Sequence, residues 1–253
     1  MTMRHFQDHM DKLKRFGMPG KDEWTAFAIT CFLIAFMLSF REWGGEQFDA
    51  ALGFKNLAIT LLLVVIALGI HVGVQIFTGM WIGFKIEYKI WTTGLLIGLV
   101  ITVVSKGRLF FLAPGGIFLH HLATHRLGYF RYGINLWAQS MIVIWSLVAT
   151  VIIATISKGL FSLTGSPLIY KFMMINLWLA IFTLLPLPPL DGSRLLFASR
   201  SFWVFAFITV VSWSILLLFT SFWITLFGSL LVATIATIIY YALFERMAWK
   251  WIY

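Results

Sequence analysis

The stretch Asn56-Leu57-Ala58-Ile59-Thr60-Leu61-Leu62-Leu63-Val64-Val65-Ile66-Ala67-Leu68-Gly69-Ile70-His71-Val72-Gly73-Val74-Gln75-Ile76-Phe77-Thr78-Gly79-Met80-Trp81-Ile82 decides the fold. It carries a single ionisable side chain, His71, near its middle. A bilayer span needs about 20 apolar residues, so this run reads as a membrane helix with a polar residue at depth. Working outward, further apolar runs cover 24–40, 90–104, 134–156, 168–185, 202–219 and 221–244.

The whole chain agrees. It has 253 residues, 60% hydrophobic and 11% charged, against roughly 25% charged in soluble domains. Too little polar surface is left to cover a water-soluble globule, so the bilayer is part of its solvent. The net charge of +9 would suggest nucleic acid in a soluble protein. Here the Lys and Arg flank apolar runs and read as topology signals, with no nucleic-acid partner expected. The one cysteine, Cys31, excludes an intramolecular disulfide. Residues 1–23 form a polar interfacial arm without a signal-peptide core. In that arm His5, Asp8, Lys12 and Arg15 could share one helix face.

Run 90–104 is short for a span and follows the alternating stretch Phe84-Lys85-Ile86-Glu87-Tyr88-Lys89-Ile90. If residues 83–104 re-enter and return, fifteen of the nineteen Lys and Arg fall on one side, including Lys106 and Arg108. The expectation is an all-α polytopic membrane protein with about six transmembrane helices, a strand-like, re-entrant segment at 83–104, and both termini cytoplasmic. Seven spans is the alternative. Residues 24–253 read as one membrane domain. The pairs Gly69–Gly73 and Gly79–Gly83 read as close helix packing. Trp203, Phe205, Phe207 and Trp213 read as lipid contacts, and Trp249–Tyr253 as an interfacial anchor.

His71 and Gln75 stand at i and i+4, on one helix face, and an ionisable residue at that depth is a functional candidate. Taken alone, His71 also reads as a hydrogen-bonded buried histidine. Far along the chain stands Leu185-Pro186-Leu187-Pro188-Pro189-Leu190-Asp191-Gly192-Ser193. Its prolines end a helix and place Asp191 at the mouth of a span.

This run resembles the Pro-x-Pro-Pro-Leu-Asp-Gly motif of the site-2 proteases, intramembrane zinc metalloproteases. Asn176, Leu179, Ala180 and Phe182 are similar to the family's preceding helix, with Thr183 where the family usually has Asn. The stretch His71-Val72-Gly73-Val74-Gln75, then Gly79, Gly83, Glu87-Tyr88, Trp91, Gly94 and Ala113-Pro114-Gly115-Gly116, resembles archaeal-type members. The resemblance covers most of 56–193. It implies the protease scaffold, with His71 and Asp191 at zinc-ligand positions and Gly73, Asn176, Thr183, Pro188 and Gly192 as groove and scaffold residues. It also exposes losses. Gln75 replaces the second His, and Val72 replaces the catalytic Glu. Valine cannot take a proton from water, and an amide oxygen is a poor zinc ligand beside imidazole. Ala138-Gln139-Ser140 and Val143 depart from the family's later Ala-Gly-Pro and Asn.

A pseudoprotease is therefore expected, with no catalytic residue and no cofactor. It would act as an adaptor, chaperone or structural subunit in contact with the lipid bilayer and other transmembrane proteins. One alternative is an active metalloprotease binding zinc through His71, Asp191 and either Gln75 or a histidine of the 120–125 cluster. In that cluster His121 and His125 have the i, i+4 spacing of helical ligands. Glu87, the nearest acid, reads as a strand-edge or salt-bridge residue. A second alternative is a proton or solute pathway lined by His71 and Asp191.

Overall fold

The computed structural model describes residues 10–11, 13–15, 17–44, 48–121 and 136–245. Chain order runs α1 (Lys21–Ser39), α2 (Ala50–Ile82), β1 (Phe84–Lys89), α3 (Thr92–Val104), β2 (Gly116–His121), α4 (Leu136–Thr164), α5 (Pro167–Thr183), α6 (Asp191–Ala198), α7 (Arg200–Phe219) and α8 (Phe222–Tyr240). A π turn at Tyr241–Glu245 follows α8. Five helices, α1, α2, α4, α7 and α8 with its π turn, are long and apolar enough to cross a bilayer. Helix α5 is a shorter apolar helix, whose 17 residues extend about 26 Å at 1.5 Å per residue. The fold is all-α with one small sheet, as the apolar runs predict.

Helix boundaries follow local chemistry. Asp49 caps α2 by accepting from Leu52 N–H. Gly83 ends the helix in the left-handed region at φ 106°, donating its N–H to Gly79. Helix α1 starts at Lys21, three residues before the apolar run, because Glu23 folds back to accept from Gly20 N–H at 3.1 Å. The other oxygen of Glu23 accepts from Tyr88 N–H at 3.1 Å and ties the start of α1 to β1. Pro167 at the first turn starts α5 directly after α4, so these two helices form a tight hairpin. Helices α7 and α8 form another. Serine and threonine line its seam, with Ser229 and Thr225 fully buried, and small residues permit close approach.

The sheet settles the short third run. Strands β1 and β2 are antiparallel, from Phe84 opposite His121 to Lys89 opposite Gly116. Because Lys89 and Gly116 are paired, residues 90–115 leave and return to the same place. The expected re-entrant course is present: α3 goes out and an extended segment comes back. Non-helical backbone at membrane depth needs protein around it. Phe110 and Phe111 meet Trp178 and Phe182 of α5 edge to face, and the Tyr88 hydroxyl donates to Pro114 O.

The tip of this excursion corrects the charge count. Lys106 and Gly107 turn at positive φ, 54° and 72°, and a Cβ on Gly107 would lie 2.6 Å from Arg41 Cγ. Arg41 follows the far end of α1, so Lys106 and Arg108 belong to that end and not to the sheet end. Charge counting places a loop by its sequence neighbours and cannot register that the loop spans the bundle. The far end is also clamped by Lys171, whose Nζ donates to Glu42 at 2.5 Å and Thr60 at 2.6 Å.

Two packing expectations change. Gly79 sits under Ile86 of β1, 2.5 Å from where its Cβ would be, but nothing lies within 4 Å of the same position on Gly73 or Gly83. Neither glycine pair is therefore a close helix–helix contact. Trp203 and Phe207 stack on each other and pack inward against Val143, Ala180 and Leu195, and the Trp203 indole donates to Leu184 O at 2.9 Å. These two rings are therefore partly buried against the bundle, while Phe205 and Trp213 line an apolar cleft.

Two tests follow from the sheet and the tip. In a Cys31→Ala background, a cysteine at 106 should react with an impermeant maleimide on the same membrane side as one at 55, and opposite one at 85. Glu87 lies 3.2 Å from Lys85 Nζ and 3.1 Å from His120 Nε2. Burial raises its carboxyl, but the Lys85 hydrogen bond and the His120 charge outweigh this and hold it below the usual range. A depressed carboxylate stabilises the fold above its unfolded value, about 4.3, and loses that contribution as pH falls through the lower folded value. Thermal unfolding should therefore show Glu87→Gln less stable at neutral pH, with the gap closing in acid.

Candidate functional site

Helix α2 turns about 100° per residue, so His71 and Gln75 face one way and Val72 another. His71 and Gln75 point towards α4 and the start of α6. Val72 packs into the apolar cluster with Cys31, Ala67, Leu68 and Tyr88. The Pro-rich turn brings Asp191 to them. The Pro188–Pro189 peptide is cis, and Arg194 donates to the carbonyls of Pro189 and Ile117, fastening the turn to β2. Gly192 lies so close to the end of α5 that a Cβ would sit 1.9 Å from Leu184 O. Only glycine allows Asp191 to begin α6 there.

The result is a closed polar knot inside the bundle. His71 Nε2 lies 3.0 Å from Asp191 Oδ2. Gln75 Nε2 lies 2.7 Å from that oxygen, 3.3 Å from Ser146 Oγ and 3.3 Å from His71 Nε2. His71 Nδ1 lies 3.0 Å from Thr150 Oγ1. His71, Gln75 and Asp191 are each at most 5% exposed.

Hydrogen counting assigns the protons. Thr150 donates its hydroxyl hydrogen to Ser146 O at 2.8 Å, so it accepts from His71 Nδ1–H. Ser146 donates to Val143 O at 2.8 Å, so it accepts from Gln75. The two amide hydrogens of Gln75 then serve Ser146 and Asp191. The remaining contact is His71 Nε2 with Asp191 Oδ2 at 3.0 Å.

Zinc fits this set poorly. Zinc–ligand bonds of about 2.0–2.2 Å put tetrahedral ligands about 3.3–3.5 Å apart. The three groups converge more tightly than that at two of their contacts. Gln75 presents a donor nitrogen, and turning its oxygen inward would set it against the Asp191 carboxylate. Among the described residues no three His, Cys, Asp or Glu side chains converge.

The other expected site residues lie apart. Asn176 is fully buried. Its Nδ2 donates to Phe172 O at 2.8 Å, while Oδ1 has no partner. Thr183 spends its hydroxyl on Leu179 O. Pro188 is exposed. The backbone of His121 ends β2. His125 lies outside the described residues, as do His5, Asp8, Lys12 and residues 249–253. Sequence reasoning missed Thr150 and Ser146. Their i, i+4 spacing on α4 was the available signal.

Removing one partner of a buried pair costs about 3–5 kcal/mol. His71→Ala and Asp191→Ala should each lower unfolding free energy in detergent by about that much. The double variant should fall short of their sum by about 0.5–3 kcal/mol, and strict additivity would mean the two do not interact.

Compared with known protein families, with curated proteins and with solved structures, this chain matches none.

Proposed function

We propose that this chain is a non-proteolytic membrane protein on a site-2-protease-like scaffold, acting as an adaptor, chaperone or structural subunit that engages other transmembrane segments. The observation that carries the reading is the hydrogen-bonded closure of His71, Gln75 and Asp191, the positions of the resemblance, on one another and on Thr150 and Ser146. Zincin chemistry needs a metal to acidify water and a base beside it. Val72, at the base's position, is buried in hydrocarbon on another face of α2. A glutamate there would bury a carboxylate among apolar side chains, so the apolar packing is itself adapted to the loss. No cofactor is proposed.

The proposed orientation places the sheet end in the cytoplasm of a cell membrane, with both termini. Without Lys106 and Arg108, thirteen of the nineteen Lys and Arg still group there by sequence position. A proton pathway is the second reading, favoured by the buried hydrogen bond between His71 and Asp191. It predicts pH-dependent flux in liposomes that His71→Ala removes.

Metal content of the purified protein, with His71→Ala alongside, tests the main reading. We expect no stoichiometric zinc in either, and no cleavage of transmembrane peptides. Zinc that disappears in the variant, with chelator-sensitive cleavage, overturns it.

A further inference from the structure

Helices α4 and α7 touch little along their length and leave an apolar cleft of about 530 Å³ between them. One wall is the α4 stripe through Ile144, Val148 and Ile152, and the other the α7 stripe through Phe205, Ala206 and Trp213. The two threonines in the walls are spent: Thr155 donates to Val151 O at 2.8 Å and Thr209 to Phe205 O at 2.7 Å. The Trp213 indole is satisfied by Thr155 at 3.2 Å. No lining hydroxyl or indole hydrogen is left for a polar ligand, so the occupant is a hydrocarbon.

Size separates the two hydrocarbon occupants a membrane offers. A spanning helix of 20 residues and about 10 Å diameter occupies roughly 2,400 Å³, several times the cleft. The wall from Phe202 to Trp213 is about 17 Å long at 1.5 Å per residue, close to half of the roughly 30 Å hydrocarbon core. That is the reach of one acyl chain through one leaflet. The cleft reaches Phe202 in the first turn of α7; two residues earlier, Arg200 is exposed and makes no ion pair with a described residue. Trp137, more than half exposed, stands against Phe202 at 6.2 Å. An aromatic ring and a free cation at that level suit a phosphate headgroup.

We infer that a glycerophospholipid of the leaflet at the sheet end seats one acyl chain between α4 and α7, with its phosphate at Arg200. The lipid completes the bundle by filling the gap between the α7–α8 hairpin and the core. It does not depend on the reading of the His71 site.

The test uses the full chain in phosphatidylglycerol vesicles containing a phosphatidylglycerol with a diazirine in its acyl chain. Crosslinks should concentrate on 144–156 and 202–213. Val148→Trp and Ala206→Trp should each reduce them at least fivefold, while Leu231→Trp, on the exposed face of α8, leaves them unchanged. Arg200→Gln should reduce them severalfold. Val148 is 40% exposed, so its replacement keeps the test open if Ala206→Trp fails to fold. Labelling spread evenly over α8 and insensitive to Val148→Trp would mean ordinary boundary lipid and overturn the proposal. So would a co-purifying transmembrane protein that crosslinks to the cleft in place of lipid.

Discussion

The hydrogen bond between His71 and Asp191 joins residues 120 positions apart, and the inner end of the bundle is arranged around it. Polar groups in a dry interior must be paired, because each unpaired one costs a few kcal/mol. Pairing His71 requires Thr150 from α4 on one ring nitrogen and the first residue of α6 on the other. That fixes three helices and the Pro-rich turn relative to one another. Gly192 lets the turn come close enough, and Arg194 fastens it to β2. The apolar surfaces would tolerate many arrangements, since lipid tails are as apolar as leucine. The polar knot selects one.

A second closure acts in the same way at the sheet. Pairing Lys89 with Gly116 forces everything between them to go out and back. The returning segment is admissible only because Trp91 and α5 cover it with aromatic rings. Sheet and knot meet through Arg194, which donates to the backbone of β2 and lies 3.5 Å from Asp191. The excursion and the site are one assembly.

Much of this was legible in the sequence, for identifiable reasons. Long apolar runs mark the crossing helices because length and composition suffice. The order of His71, Gln75 and Asp191 marked the site because a buried histidine and a Pro-rich turn are both conspicuous. What escaped were features made by contact. Strand β2 is short and ends in two histidines, whose spacing to His125 reads as a ligand pattern rather than as a strand. The side of Lys106 depends on the nesting of Gly107 against Arg41. Thr150 and Ser146 each give their hydrogen to the backbone of their own helix, as such residues commonly do within membrane helices. Only the second lone pair, which no sequence pattern displays, reaches the site.

The separation of His71 from Val72 bears most on function. Adjacent residues on a helix face different surroundings, and here one faces a polar knot and the other hydrocarbon. Replacing Gln75 with histidine alone would add a second imidazole without supplying a base. Replacing Val72 with glutamate alone would put a carboxylate among Cys31, Ala67, Leu68 and Tyr88, whose hydroxyl is already given to Pro114 O. The packing of α1 against α2 thus keeps position 72 apolar, while His71, one residue away, has both ring nitrogens hydrogen-bonded.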